Sequence, residues 1–429
     1  MNTVNRFLRN IYIFLVLFSL NISCFEMKTT TSSTKPGDEA LYNPYVQQLH
    51  PQYFVYNASK ERSRLYIKLN LNELMFSPVG ENRSYISKVK IAYNVLQPDE
   101  SGTFIDSASV VFEIKKRKGE NSAITYLNIS DKGYNKFYLQ INTRDLFKQT
   151  KAEDFIIVDR ENSGNLQDFL ISLNSTNYPY FNNFFNSSQL FNVQLNTIAD
   201  SIYIRYFGGK VPLPPPPFST LSRAELFTYS DSSWSITGKG SSQFSSKKEG
   251  LYYFQTDSTL KYGLGLVNCG DDFPYVKRSE EMVYPLEYLM STAEFKNIIS
   301  SQNKKLSVDK FWLTCGKNPN RARELIRIYY NRVFYANVYF TSYTQGWRTD
   351  RGMIYIIFGP PKSVQKAPDK ETWFYFDKTN AGRLQFVFTK YPNPYTQNDY
   401  ILSRHIDFKR FWDEALASWR SGRVYTVFG

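Results

Sequence analysis

Two histidines, three cysteines and a few paired carboxylates are what this 429-residue chain offers for chemistry. His50 and His405 stand more than 350 positions apart. A Ser-His-Asp hydrolase would have to use one of them, yet no G-x-S-x-G sequence supplies the serine elbow. A zinc centre needs His and Cys clusters, and neither is present. Walker A and dinucleotide-type glycine patterns are also missing from the sequence, so no metal and no cofactor are expected. Asp271-Asp272 and Glu280-Glu281 could hold calcium or work as acid and base, but helix-end and surface roles suit them better. The densest group is Gly346-Trp347-Arg348-Thr349-Asp350-Arg351-Gly352. One chemistry for it is an anion-binding corner, with turn amides and arginines converging on a carboxylate or phosphate. The other is architectural. Thr349 or Asp350 would accept turn N–H bonds, Gly352 would take a positive φ, and Trp347 would bury its ring. Arg348 and Arg351 would then pair with Asp350 or Glu324. The architectural reading is preferred, and no catalytic residue is assigned.

Three kinds of segment must position that heptad. Residues 41–160 carry alternating or β-branched and aromatic runs, such as RLYIKLNL (64–71) and ISKVKIAYNV (86–95), separated by turn clusters. They predict an antiparallel β-sandwich. Residues 161–278 predict a second β-rich domain, interrupted by the polyproline stretch Pro212 to Pro217, read as a stiff connection. From 279 to 429 the period changes from 2 to 3.6, which predicts an α+β domain of helices followed by a small antiparallel sheet. Its best helix runs over 319–340, with Leu325, Ile328, Tyr329, Val333, Ala336 and Phe340 on one stripe. Arg332 shares the stripe, either snorkelling to solvent or buried against a carboxylate. After the heptad, Met353 to Phe358 is expected to be a strand, ended by Gly359-Pro360-Pro361. Further strands are expected at 372–376, 384–388 and 400–406, then a helix from Phe408 to Trp419.

The N-terminus decides the expected compartment. Arg6 and Arg9 precede the apolar run Ile11 to Leu20, which is far shorter than the roughly 20 residues that cross a bilayer but suits a signal peptide over 1–23. Ser23-Cys24 follows it as a bacterial lipobox would, making Cys24 the expected lipidation site, with 24–40 a polar tether. An ordinary signal peptide is the alternative. The whole sequence has a formal net charge of +13, interspersed with acidic residues, and no basic helix or zinc spacing that would read nucleic acid. In an oxidising compartment Cys269 and Cys315 form either a disulfide or two buried thiols.

Phe311-Trp312, RARELIRIYYNRVFYAN (321–337), GWRTDRGMIYIIFGPP (346–361), ETWFY (371–375) and SWRSGRVY (418–425) together resemble the GWxTD domain family. The resemblance covers roughly residues 280–425. It implies an exported, often lipid-anchored protein of Bacteroidota-type bacteria and no particular reaction. More loosely, Gly359, Pro361, Trp373 and Tyr375 resemble the pattern of the small lipoprotein subunit of the outer-membrane protein assembly machine. The expected function is therefore a lipid-anchored envelope scaffold or binding subunit of an outer-membrane-associated assembly. It would partner the membrane through its anchor, and envelope proteins, but not nucleic acid; the small-molecule ligand stays open. The rival is an envelope hydrolase or carbohydrate-active protein, with a site where the second β unit meets the C-terminal domain.

Overall fold

The computed structural model describes residues 41–425 apart from 47, 80–83, 100–101, 131, 174–175, 177, 197–198, 222, 224–226, 228 and 376–383. The signal peptide, Cys24 and the tether lie outside the described residues. The first β unit has two sheets. Strands β1 (Gln52–Asn57) and β2 (Ser63–Asn70) pair with the later β6 (Ser122–Asn128) in the order β1-β2-β6. The second sheet takes β3 (Ser77–Val79), β4 (Ser84–Leu96), β5 (Phe104–Lys115), β7 (Lys136–Asp145) and β8 (Lys151–Asp159), built around the long β4. Alternation does the work here. Val89, Ile91, Tyr93 and Val95 of β4 share one face and meet Phe137, Leu139 and Ile141 of β7 and Leu65, Ile67 and Leu69 of β2 in one core.

The second unit repeats the scheme with a twist in its burial. β9 (Phe169–Leu173), β11 (Phe191–Leu195) and β14 (Ser241–Phe244) make a small sheet. It faces a five-stranded sheet ordered β10-β16-β15-β12-β13, formed by β10 (Phe184–Phe185), β12 (Ser201–Phe207), β13 (Ser232–Thr237), β15 (Gly250–Gln255) and β16 (Leu264–Asn268). One face of the larger sheet, with Ile204, Tyr252 and Phe254, packs on Phe191 and Val193. The opposite face, with Phe207, Leu251, Tyr253 and Val267, packs on Tyr343 and Tyr395 of the C-terminal part. A sheet covered on both faces explains why β15 is apolar and aromatic without alternation.

The C-terminal part starts with α1 (Ser279–Met282) and a 3₁₀ turn over Tyr284–Leu289, then α2 (Thr292–Ile299), α3 (Lys304–Gly316) and α4 (Pro319–Phe340). Asn318 caps α4 by accepting from the Arg321 N–H at 2.9 Å, and Pro319 sits in its first turn, where no amide partner is lost. Strands β17 (Ser363–Lys366), β18 (Lys370–Phe374), β19 (Gln385–Lys390) and β20 (Tyr400–Leu402) form an antiparallel sheet in chain order. The last helix, α6, runs Phe408–Arg420.

One element differs from its sequence expectation. Residues Asp350–Phe358 are not a strand but a helix, α5. All nine of its residues are buried, so no polar face was left to mark a helical period. The change also removes the first strand from the pattern shared with the small assembly-machine lipoprotein; the first strand of the terminal sheet is instead Ser363–Lys366.

Candidate functional site

The heptad is a corner between α4 and α5. Gly346, Trp347 and Arg348 form a 3₁₀ turn, and Thr349 caps α5 by accepting from the Gly352 N–H at 3.0 Å. Gly352 lies inside α5 and has no positive φ; close packing is what requires it. A Cβ on Gly352 would lie 2.0 Å from the Gly346 carbonyl oxygen, and one on Gly346 would lie 2.0 Å from that of Ala336 in α4. The turn backbone is bonded throughout. Asn337 Oδ1 accepts from Trp347 N–H (3.1 Å), Thr341 Oγ1 from Gly346 N–H (3.1 Å), and the Tyr288 hydroxyl donates to the Trp347 carbonyl (2.9 Å). Trp347 is buried, and its indole N–H donates to Gln345 Oε1 at 2.7 Å.

The charged members of the heptad diverge. Asp350, at the positive end of α5, accepts from the Leu402 N–H (3.0 Å) and pairs with Arg404 rather than with either heptad arginine. Burial pushes its carboxyl up, while Arg404 and the Leu402 amide pull it back. Arg348 lies over the Trp347 ring, 4.3 Å from its centroid, and donates to the Val211 carbonyl at 3.1 Å. Arg351 turns the other way, to Glu371 at 3.2 Å and to Asn398. Glu324 pairs with Arg321 instead. The polyproline stretch lies across this corner, with Pro215 accepting from Arg404 (3.0 Å) and Pro217 from the His405 N–H (3.1 Å). The void between stretch and corner is about 30 Å³, room for one or two waters. A separate hollow of about 130 Å³ lies against Thr344, Gln345 and Arg348 where the second β unit meets the corner.

Arg332 is buried with no carboxylate partner among the described residues. Its guanidinium donates to the carbonyls of Ile356 (3.0 Å) and Ile357 (3.1 Å) at the negative end of α5, and lies 5.0 Å from the Trp419 ring centroid. Burial lowers its pKa to about 10, so it stays charged at neutral pH. The two cysteines are both free and buried, which corrects the disulfide alternative. Cys269 belongs to the cluster on the outer face of β16, Cys315 to the helical core. Burial raises both thiols above their usual pKa. Asp271 accepts from the Ser187 N–H, Asp272 pairs with Lys277 and Glu281 with Arg278, so these carboxylates are engaged locally. His50 has both ring nitrogens engaged, Nδ1 with Glu73 (3.1 Å) and Nε2 with the Leu41 carbonyl (2.9 Å). His405 is exposed beside Asp407.

A second site was missed in the sequence. On the inner face of the terminal sheet, Trp373, Phe386 and Phe388 give way toward one end to Lys366, Glu371 and Lys390. Glu371 accepts from Arg351, from the Tyr42 hydroxyl (2.9 Å) and from the Trp373 indole (3.1 Å). Burial opposes its ionisation, but Arg351 and Lys366 outweigh that and hold its carboxyl below the ordinary value. Lys366 reaches across to Asp154 of β8 at 3.1 Å. Lys390, half-buried at the end of β19, has no carboxylate within ion-pair distance among the described residues. It borders a cleft of about 380 Å³ between the terminal sheet, β1 and the 181–184 segment. A larger cleft of about 850 Å³ adjoins it, sharing Tyr42, Gln52, Tyr53, Asp154, Tyr339 and Lys366. The signal for this site was inward charge: in Glu371-Thr372-Trp373-Phe374-Tyr375 the glutamate shares a face with two aromatics that must be core.

No curated protein matches the chain. Among solved structures, that of red sea bream transglutaminase aligns with 6% identity and a TM-score of 0.19, over 52% of this chain and 31% of that one. This chain thus spans about a third of that protein's length, and so low a score carries no argument. The model of the GWxTD domain family matches residues 250–421, from the doubly covered strand β15 to just past α6. These residues, which include the corner and the terminal sheet, are a GWxTD domain.

Proposed function

We propose that this protein is exported, anchored by acylated Cys24 in the cell envelope of a bacterium, and serves there as a scaffold or binding subunit of an outer-membrane-associated assembly without chemistry of its own. The observation that carries the reading is the occupancy of the GWxTD corner. Every arginine and carboxylate in it ends on another protein group, and the void beside Asp350 has room for no more than one or two waters. The family's defining residues therefore hold α4, α5 and the polyproline stretch together. Of the two histidines a hydrolase could use as base, His50 has both ring nitrogens engaged and His405 lies on the surface beside Asp407. The larger open volumes lie in the clefts beside β1, whose amide and aromatic lining suits binding.

Two variants test this. Cys24→Ala should move the protein from the membrane pellet to the soluble periplasmic extract, and mass spectrometry of the wild-type N-terminus should show an acylated cysteine. An unmodified N-terminus beyond Cys24 would overturn the anchor. Asp350→Asn should lose cellular function only in proportion to folded protein. A stable, correctly localised but inactive Asp350→Asn protein would make the corner a functional site and overturn the scaffold reading.

A further inference from the structure

Three cations, Arg351, Lys366 and Lys390, face two carboxylates, Asp154 and Glu371, at the mouth of the smaller cleft. Both carboxylates are already paired, and Glu371 has both oxygens occupied by hydrogen bonds. One positive charge is left over, at Lys390, and it borders free volume. An ammonium held partly out of water without a counter-ion is costly, and proteins rarely keep one unless something compensates it. A single compensating charge is called for: a dianion would exchange one unpaired cation for one unpaired negative charge. The rest of the lining is neutral and polar, with the amides of Gln52, Asn182 and Gln397 and the hydroxyl of Tyr400, beside the rings of Phe54 and Phe181. Such a surface meets a ligand dense in hydroxyl groups. The volume of about 380 Å³ lies at the lower end of small-molecule sites, and the adjoining cleft gives a longer ligand room to continue.

We infer that this cleft binds an acidic saccharide, a sugar ring bearing one carboxylate, with the carboxylate on Lys390 and the hydroxyls on the surrounding amides. The inference rests on the binding-subunit reading and names its ligand class, but it does not depend on the lipid anchor. Burial lowers the Lys390 pKa; Asp154 and Glu371 nearby oppose that shift and Arg351 and Lys366 add to it, and a bound carboxylate would work against the net lowering. Nothing in the cleft is asked to react with the ligand.

The test is calorimetric titration of the purified full-length protein in detergent with glucuronate, galacturonate, N-acetylneuraminate, glucose and inorganic phosphate. At least one sugar acid should bind saturably and more tightly than glucose or phosphate. Lys390→Met should weaken that binding by about tenfold or more, the loss of one charge-assisted pair, while Lys390→Arg should retain most of it. Without ligand, Lys390→Met should melt at the same temperature as wild type or higher, because it removes an unpaired charge. Four results would each overturn the inference: no binding of any of the three acids, preferential binding of phosphate, equal affinity in Lys390→Met, or a lowered melting temperature for that variant. Failure here would leave the membrane fractionation of Cys24→Ala unaffected, so the two ideas fall separately.

Discussion

Asp350 and Arg351 are neighbours in the chain, both buried in the first turn of α5, and they lead to opposite kinds of place. Asp350 looks into the GWxTD corner, where Arg404, Arg348 and the polyproline carbonyls close around a void of about 30 Å³. Arg351 looks toward the end of the terminal sheet, where Glu371, Lys366 and Asp154 border a void of about 380 Å³ with one lysine unmatched. Buried cations and carboxylates meet on both sides, and each side keeps one cation without a carboxylate partner among the described residues, Arg348 at the corner and Lys390 at the cleft. What differs is how that cation is met and how much space lies beside it: Arg348 donates to the Val211 carbonyl and covers the Trp347 ring, whereas Lys390 borders the larger void. Buried charge by itself therefore marks neither place as a site; an unpaired cation beside ligand-sized free volume does. The family's most recognisable residues sit on the closed side.

The sharpest way to break this contrast is to attack the closed side. Gly346→Ala would place a Cβ 2.0 Å from the Ala336 carbonyl oxygen, and both groups are backbone, so α4 and the turn would have to part. Overpacking of this kind should cost about 3 kcal/mol or more. Trp347→Ala removes a buried indole from the same corner and should cost about 3–5 kcal/mol. Urea melts followed by circular dichroism measure both. A near-native melt for either variant would mean that the corner is not holding the helices together, and the contrast with the open cleft would dissolve.

The next test concerns how firmly the open side is held. Glu371→Gln leaves Arg351 buried without its counter-ion and should cost about 2–4 kcal/mol, somewhat less than full loss of a buried partner because the amide still accepts. Its pH signature has a definite sign. The Glu371 carboxyl is held below the ordinary value of 4.5, so the folded state binds this proton more weakly than the unfolded state does. Its contribution is complete above that ordinary value and is lost as the pH falls through the depressed folded value. Wild-type stability should therefore drop more steeply than that of Glu371→Gln as the pH is lowered below about 4.5. Parallel acid slopes for the two proteins would remove the charge balance from which the unmatched state of Lys390 was argued.

How much of this was legible in the sequence follows from what each element leaves exposed. The α4 stripe of Leu325, Tyr329, Val333, Ala336 and Phe340 could be read because its other face is polar, and the helix spans Pro319–Phe340 as expected. Helix α5 could not, because MIYIIF is buried on every side and a buried helix and a buried strand give the same apolar run. Arg332 was visible as a cation in a core stripe, but its partners are the carbonyl ends of α5, which exist only once that segment is a helix. The heptad was recognisable as a motif, and its architectural role was the preferred reading. The pairing of Asp350 with Arg404 depends on β20 passing beside α5, which no local pattern encodes. The cleft is harder still: Lys366, Glu371 and Lys390 come from three strands, Asp154 from another β unit, and only register and packing bring them together.

The smallest effect belongs to Arg348, and it separates the two sides most finely. This side chain is partly exposed, lies over Trp347 and makes one hydrogen bond, to Val211. Arg348→Met keeps much of the apolar cover on the indole while losing the bond and the cation–π contact, so it should cost about 1 kcal/mol. In a chain this long that is a fall of about 2 °C in melting temperature. On the architectural reading nothing else should change: sugar-acid titrations should match wild type, because Arg348 does not border the smaller cleft, and cellular function should persist. If Arg348→Met instead abolished function while melting within those 2 °C, a partner would have to be reading the guanidinium at the corner, and the closed side would be a binding surface after all.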